Sequence, residues 1–553
     1  MKQMMRSTAM LLAAATILSG VQGRSIAASP ETLAQVTGTF ESYASYDLPT
    51  SAVKVVATLE KFIPRLKALT VRTVDQSDDG KSVYLTMEDP KNPESYASLE
   101  FDLGTGLLMG YQVPIQEAAS GKRETYEFIQ QRVDQLVMEI YGSEKRKMIG
   151  EPHYYSDEQD EQDEQDDPID SEFTFHVSTE VFYPYLVNGL DLEGTDYGLL
   201  IQTEADGDII SISLNIPNLQ GTNVPDPKGV LKQDVIKKQY FTPSSFDLGY
   251  FREGYAGTPE LLYVLRSLPV FDATTGKAID SMNGAVIEDN RRNSVNNKKI
   301  TLTPQARPLI VNNELDASKI LFTMFGVDTK EDYARYYKHE YRDELEYHWS
   351  NEFPNFGSSG VSVNPTTGQL ISAGVVTQSP EIPVNLTRDE ALKKAISFLE
   401  PYALTTSATM RVEIDERVRP IQLTNWMKEV EKKEKGDDKD LEQIYNFTFY
   451  ELHNNVPVFN HYYNVNVNGA SGKVEHFRTS LPMKEIALPD VKLAATEQQA
   501  SEFFIKNVPL RLSYRWPTYY GVKGPELKLV YTLDDSKGWP YVDALSGTLK
   551  WDE

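Results

Sequence analysis

The chain has 553 residues, a formal net charge of −26 and no cysteine. The acidic excess argues against nucleic acid, anionic lipid and anionic wall polymer as partners. The lack of cysteine excludes disulfide bonds and thiol catalysis. A chain of this length can bury more than one core, so we expect two lobes.

The N-terminus has the pattern of a secretory signal. Lys2 and Arg6 precede a short apolar stretch at 9–18, and small residues follow it. We predict a signal peptide over 1–28 and a spacer over 29–45. The apolar stretch is too short to span a bilayer, and no later stretch approaches the required length, so we expect no membrane span. The mature protein is expected to be secreted.

A short sequence motif recurs along the chain: Asp or Asn, two residues, Thr or Ser, Gly, one residue and an apolar residue. Asp or Asn starts a tight turn by side-chain hydrogen bonding, and Gly supplies the positive φ that the turn needs. Regular recurrence indicates repeated units. The copies begin at Asp102, Asp272, Asn364, Asn468 and Asp543, and a degenerate sixth copy begins at Thr203.

The copies form two sets of three. Matching turns lie 262, 265 and 271 residues apart, which predicts an internal duplication of about 265 residues. Other segments match in the same order. These pairs are 83–106 with 345–368, Phe173–Phe175 with Phe447–Phe449, and Pro259–Leu261 with Pro525–Leu527.

We call each turn, with the helix and strands before it, a repeat. Thr387 with Glu390, and Thr496 with Gln499, form capping boxes that predict helix starts. Apolar residues at helical spacing predict further helices in the first two repeats. They are Val53, Val56, Leu59, Phe62 and Ile63, then Tyr126, Ile129, Val133, Leu136 and Ile140.

These signals predict an α+β fold of six repeated units, each with one helix packed on a small antiparallel sheet. We expect two duplicated lobes of three repeats, at 46–285 and 313–553, joined by a polar linker at 286–312.

The segment 156–172 is strongly acidic. Ten acids and no base lie between Asp157 and Glu172. The favoured interpretation is a solvated insertion in the second repeat. The alternative is weak association with calcium.

Motifs that would carry chemistry are absent or broken. His339-Glu340 and His348 are spaced too widely for a zinc-binding helix, and the duplication places His348 on a strand. Asp75 to Gly80 resembles the start of a calcium loop but lacks its final Glu, so a hairpin turn is predicted. Gly357 to Gly360 lacks the spacing of a nucleophile elbow and is assigned to a hairpin loop. We therefore predict no catalytic, metal or cofactor residues, and no enzyme.

Six aromatic residues cluster in the fourth repeat. Strand packing is the favoured interpretation, and a binding face is the alternative, because Tyr and Trp favour interfaces. They are Tyr333, Tyr336, Tyr337, Tyr341, Tyr347 and Trp349.

Helices and strands that close on Asp-x-x-Thr-Gly resemble the PepSY module. Two sets of three behind a signal peptide are similar to the YcdB/YcdC repeat proteins of Bacillus and Paenibacillus relatives. PepSY modules occur in propeptides of thermolysin-type metallopeptidases, so the resemblance implies a role in restraining an extracellular peptidase. It implies no catalytic residues. Family members often carry S-layer homology repeats, and none follows the sixth repeat here, so we expect loose wall association at most.

Three functions follow. The leading hypothesis is a secreted, non-catalytic protein that binds or restrains an extracellular protein, such as a peptidase, with an edge strand suited to strand addition. The alternatives are a structural cell-envelope protein without a soluble partner, and a hydrolase with an unrecognised carboxylate site.

Overall fold

The computed structural model describes most of the chain after the predicted N-terminal segments. The described residues are 50–113, 124–156, 179–204, 206–251, 258–266, 270–287, 298–305, 309–341, 344–351, 357–376, 385–404, 409–416, 423–434, 444–480, 487–534 and 538–552. The predictions for the signal peptide, the spacer, the acidic stretch from Asp157 onward and Phe173–Phe175 lie outside them. Two compact bodies form: the first runs to Asn223 and includes Ser513–Trp516, and the second comprises Val224–Leu512 with the residues from Pro517.

The four helices assigned from the sequence, in repeats one, two, five and six, lie where it predicts. In both capping boxes the Thr backbone N–H donates to the Glu390 or Gln499 side chain at 2.8 Å, and the Thr hydroxyl accepts in return. The apolar faces are buried as expected, although Tyr126 at the start of its helix is exposed. The helices are α1 (Thr50–Phe62), α2 (Tyr126–Arg146), α3 (Gln233–Tyr240), α4 (Glu314–Phe325), α5 (Thr329–Asp332), α6 (Arg388–Leu399), α7 (Asn425–Glu434) and α8 (Glu497–Asn507).

The first body is built on an eight-stranded antiparallel sheet with the order β1-β2-β3-β4-β10-β9-β6-β5. Residues of α1 and α2 form one apolar core with it. The strands are β1 (Thr70–Gln76), β2 (Ser82–Asp89), β3 (Asn92–Asp102), β4 (Leu108–Gln112), β5 (His153–Ser156), β6 (Thr179–Pro184), β7 (Leu186–Val187), β8 (Leu190–Glu193), β9 (Gly198–Thr203) and β10 (Ile209–Asn215).

The strands after Asn223 belong to repeats three to six, and those of the third and sixth repeats are the shorter ones. They are β11 (Phe246–Phe251), β12 (Glu260–Leu265), β13 (Val270–Asp272), β14 (Ala278–Ile279), β15 (Lys298–Thr301), β16 (Arg335–Tyr341), β17 (Glu344–Ser350), β18 (Ser358–Val363), β19 (Leu370–Val376), β20 (Thr409–Glu416), β21 (Ile444–His453), β22 (Val456–Asn468), β23 (Val474–Thr479), β24 (Leu510–Arg515), β25 (Thr518–Tyr519), β26 (Val522–Lys523), β27 (Lys528–Leu533), β28 (Trp539–Asp543) and β29 (Leu549–Asp552).

Eight strands of the second body repeat the topology of the first sheet, in the order β16-β17-β18-β19-β23-β22-β21-β20. In each sheet the last strands of two repeats pair. Gln112 lies opposite Ser211 in the first body, and Gly374 lies opposite His476 in the second. These positions are 262 and 265 residues apart, the same offsets as the matching turns. Helices α4 and α6 share an apolar core with the second set.

Five turns close with one hydrogen-bonding pattern, as predicted. The carboxyl or amide oxygen of the first residue accepts the N–H of the Thr or Ser three positions on, at 2.7–2.8 Å. The Gly N–H donates to the carbonyl of the first residue, and the Gly φ is 67–73°. The degenerate copy differs: Glu204 and Asp208 close a shorter turn around Gly207.

Three placements differ from the sequence analysis. The boundary between the bodies falls after Asn223, so the third repeat belongs to the body that holds repeats four to six. The segment 286–312, expected to be a linker, contains β15, which pairs with β20 and buries Ile300. Ser358 to Gly360, assigned to a hairpin loop, instead begin strand β18. Ser359, Val361 and Val363 are all buried on one face, so the alternating burial of the strand already includes Ser359.

Candidate functional site

The candidate site is strand β16, which stands at one end of the strand order of the large sheet in the second body. All seven of its residues are in register with β17, from Arg335 opposite Ser350 to Tyr341 opposite Glu344. Residues 334–340 are exposed. An edge strand directs one row of backbone N–H and C=O groups outward, which is the geometry that accepts an added strand.

Two tyrosines lie on opposite faces of this edge, because side chains alternate along a strand. Tyr336 is 37% exposed, and its ring lies 5.2 Å from that of Trp349, which is buried in the core. Tyr337 is 48% exposed and lies 6.4 Å from the ring of His348. Desolvation, followed by the charge of Glu314, raises the pKa of Tyr336. The Tyr336 hydroxyl therefore remains a protonated donor at neutral pH.

Positive charge flanks the tyrosines. Arg335 Nη1 donates to the Tyr337 hydroxyl at 3.4 Å. Lys338 Nζ lies 6.0 Å from the centre of the Tyr347 ring, within the range of a cation–π contact. Lysine on an edge strand disfavours unspecific strand pairing. The edge therefore combines aromatic contact area with a charge that selects against random partners.

The structure divides the predicted aromatic cluster. Tyr347 and Trp349 are buried in the core and Tyr333 packs against it, so the packing interpretation holds for these three. Tyr336 and Tyr337 are exposed on β16, so for these two the binding face stays a prediction. The backbone of Tyr341 belongs to β16. Alternation along the sequence could not separate the two groups, because whether β16 is an edge depends on the whole sheet.

His348 lies on a strand and the acidic segment near Asp79 forms a hairpin turn, as predicted. His339 and His348 lie on neighbouring strands, where His339 is opposite Glu346. Within the described ranges, no group of three His, Cys, Asp or Glu residues is arranged to hold a metal ion. Ser77 to Gly80 form the turn between β1 and β2, and hydrogen bonds led by the Ser77 hydroxyl lower the pKa of Asp79 to about 2.

Sequence reasoning missed a buried charge cluster in the second body. Arg411 on β20 donates to Asp247 on β11 at 2.5 Å and also to Glu413. Arg266 donates to the second oxygen of Asp247 at 2.8 Å. Desolvation raises the pKa of Glu413, opposed by Arg411. Both carboxylates are held by guanidinium groups, which suits a structural ion cluster better than acid–base catalysis. No sequence signal joins residues 164 positions apart.

The second body also has an open depression of about 560 Å³. Its lining is mostly polar and holds one carboxylate, Asp490, which accepts the Lys492 N–H at 3.0 Å. A lone carboxylate that caps its own turn is not the convergent acid pair of a hydrolase. The lining residues are His453, Asn454, Asn455, Leu488, Pro489, Asp490, Val491 and Lys492.

One family model matches part of the second body. Residues 328–480 match the family model described as the YcdB, YcdC repeated domain, so the predicted resemblance to YcdB/YcdC-type proteins is confirmed. The match includes β16. Among solved structures, the YpeB C-terminal domain of Bacillus megaterium is similar at 14% identity, covering 44% of this chain and 98% of that chain, with a TM-score of 0.24. A comparison with curated proteins finds no match. In the described part of the chain, no helix has the length and apolar character needed to cross a membrane.

Proposed function

We propose that this protein is a secreted, non-catalytic binding protein that holds an extended segment of an extracellular protein, such as a peptidase, by strand addition at β16. The observation that carries the proposal is a strand at the end of a sheet whose residues 335–340 are exposed, with an exposed tyrosine on each face. Main-chain hydrogen bonds supply affinity in this mode, and side-chain contacts supply specificity.

The non-catalytic part is supported by the disposition of the acids. Asp247 and Glu413, both largely buried, are bonded to Arg411. The resemblance to YcdB/YcdC-type repeats carries no catalytic residues with it. A binding role requires neither a deep pocket nor a perturbed acid pair.

We also propose that the chain consists of six repeats in two duplicated sets and that the signal peptide 1–28 exports it. The shared sheet topology of repeats one and two with repeats four and five supports the duplication. Weak calcium association through 156–172 remains part of the proposal. Calcium titration of a variant with the ten acids changed to Asn or Gln tests it: heat should be released only by the natural chain.

The test immobilises the mature chain, from Ser29, and exposes it to culture supernatant of the source bacterium. Captured proteins are identified, and peptidase activity in the supernatant is measured before and after. Tyr337→Lys adds charge and removes aromatic area at the edge. Tyr520→Lys is the matched control, because Tyr520 is 51% exposed but lies in the turn between β25 and β26.

We expect the natural chain and the control to capture one defined partner and to lower peptidase activity, while Tyr337→Lys loses the partner. Equal capture by all three chains would place binding elsewhere. No capture by any of them would leave the structural envelope role as the better account.

A further inference from the structure

The third and sixth repeats are connected differently from the other four. In repeats one, four and five, four successive strands pair, as in β1-β2-β3-β4 and β16-β17-β18-β19, and in repeat two β5-β6-β9-β10 do so with β7 and β8 inserted. In the third repeat, β12 pairs with β28 of the sixth repeat rather than with β13. In turn, β13 pairs with β27 of the sixth repeat. Each closing hairpin therefore completes a strand of the other repeat.

The exchange is reciprocal in register. Leu262 lies opposite Asp543, and Val530 lies opposite Asp272, so each middle strand meets the first residue of the other repeat's turn. The hydrogen bonds correspond as well. Ala544 N–H donates to Leu261 O at 2.8 Å, and Ala273 N–H donates to Leu529 O at 2.8 Å. Leu261 thus corresponds to Leu529, two positions beyond the Leu527 that the sequence match assigned to it.

The start of each helix is hydrogen-bonded to the closing hairpin of its own repeat. Ala495, just before α8, donates to Ala544 O of its own turn at 2.7 Å, and Leu231, just before α3, donates to Ala273 O at 2.8 Å. Across the exchange, the Tyr263 hydroxyl donates to Ala495 O at 2.7 Å, and the Tyr531 hydroxyl donates to Leu231 O at 2.9 Å. The helix start and the closing hairpin of one repeat are thus bonded to each other, and both are hydrogen-bonded to a strand of the other repeat.

The two repeats also share one aromatic core. Phe504 on α8 lies 5.0 Å from Phe241 and 5.2 Å from Phe246, ring to ring, and both belong to the third repeat. Phe241 also contacts Phe271 on β13 at 6.1 Å. All four rings are fully buried. The two repeats therefore bury these rings in one shared core, and neither pairs its closing hairpin with its own middle strand.

We infer that β12 is an acceptor site for the hairpin β28–β29, and that this site takes the same hairpin from a second copy of this chain when its own is displaced. The acceptor already receives its hairpin from a segment about 280 residues away, so the contacts do not require a local connection. Tethering within one chain raises the effective concentration of the hairpin at its acceptor, to roughly millimolar for a short flexible linker, so we expect the dilute protein to be monomeric. Exchange of identical elements is a low-cost route to a dimer.

The probe is a labelled synthetic peptide of residues 538–553, which is the hairpin that a second copy would donate. The chain used is full length, with a protease site placed between Asp534 and Gly538. After cleavage, the hairpin should remain bound, and excess labelled peptide should replace it, as measured by fluorescence anisotropy. A Val542→Asp peptide should bind at least about tenfold more weakly, because it places an unpaired carboxylate where Val542 is fully buried.

The second-copy prediction has its own measurement. Intact chain, unfolded in urea and refolded at high concentration, should contain a dimer by light scattering, and chain ending at Asp534 should not. Retention of the labelled peptide by the cleaved chain together with this dimer supports the inference. Amide protection of Leu261 to Tyr263 that is unchanged after loss of the hairpin, or failure of the labelled peptide to bind, would overturn the acceptor site. A dimer in the truncated chain would overturn the exchange route.

Discussion

Arg411 and Asp247 connect two repeats inside the second body through a buried ion pair. Arg411 lies on β20 of the fifth repeat and Asp247 on β11 of the third, with side chains 8% and 10% exposed. A neighbouring contact serves the same junction, because Tyr250 on β11 pairs in parallel with Val458 on β22. The third repeat is therefore fixed to the sheet of the fourth and fifth by charge as well as by strand pairing.

Asp247→Ala should lower the free energy of unfolding of the second body by about 3 kcal/mol, because it removes the carboxylate that buried Arg411 shares with partly buried Arg266. Urea denaturation followed by circular dichroism measures the loss. The control is Glu429→Ala, which breaks the exposed pair with Lys432. Exposed pairs contribute about 0.5 kcal/mol or less, so equal losses in the two variants would show that the buried cluster carries no special weight.

The two capping boxes should respond differently to pH. Hydrogen bonds from Thr387 lower the pKa of Glu390 from 4.5. A lowered pKa in the folded state means that the stabilisation is complete above about pH 4.5 and is lost as pH falls through the folded value. The box of α8 uses the neutral amide of Gln499 and has no such dependence.

Amide hydrogen exchange at the first turns of α6 and α8 between pH 6 and pH 3 separates these cases, after correction for the intrinsic rates. Protection should fall at α6 and hold at α8. Glu390→Gln should remove the difference. A parallel fall at both helix starts in the natural chain would mean that global acid unfolding, not Glu390, sets the response.

Two turn glycines should differ in their tolerance of a side chain. Both have a φ of 68°. A Cβ on Gly547 would meet no atom within 4 Å, whereas a Cβ on Gly368 would lie 2.7 Å from the Val311 carbonyl oxygen. Gly547→Ala should cost about 1 kcal/mol for the left-handed backbone alone. Gly368→Ala should cost clearly more, and thermal denaturation of the two variants gives the comparison. Equal costs would contradict the steric argument.

Local chemistry in the sequence was sufficient for the turns and helix starts. The side chains of Asp102 and its counterparts accept a hydrogen bond from the residue three positions on, so the motif alone specifies the turn. The same locality explains what was missed. The sequence of a hairpin such as β13–β14 has the same pattern whether the hairpin pairs with a strand of its own repeat or of another, so the exchange could not be predicted from the sequence. A two-residue shift keeps every side chain on its face, which is why Leu527 was matched in place of Leu529.

The candidate site was predictable only in its composition. The tyrosines near residue 336 stood out, but their division between core and edge depends on where the sheet ends. Trp349 and Tyr336 occupy directly opposite positions in β17 and β16, yet one is 3% exposed and the other 37%. Likewise, Asp247 and Arg411 are ordinary charged residues until the sheet brings β11 and β20 into one body.

Amide hydrogen exchange of Arg335–Tyr341, with and without the captured partner, tests the central claim most directly. Strand addition predicts slower exchange at alternate residues of β16 when the partner is bound, while β1, the terminal strand of the first sheet, keeps its free rate. A bound partner that leaves the exchange of β16 unchanged would contradict the assignment of this strand as the binding site.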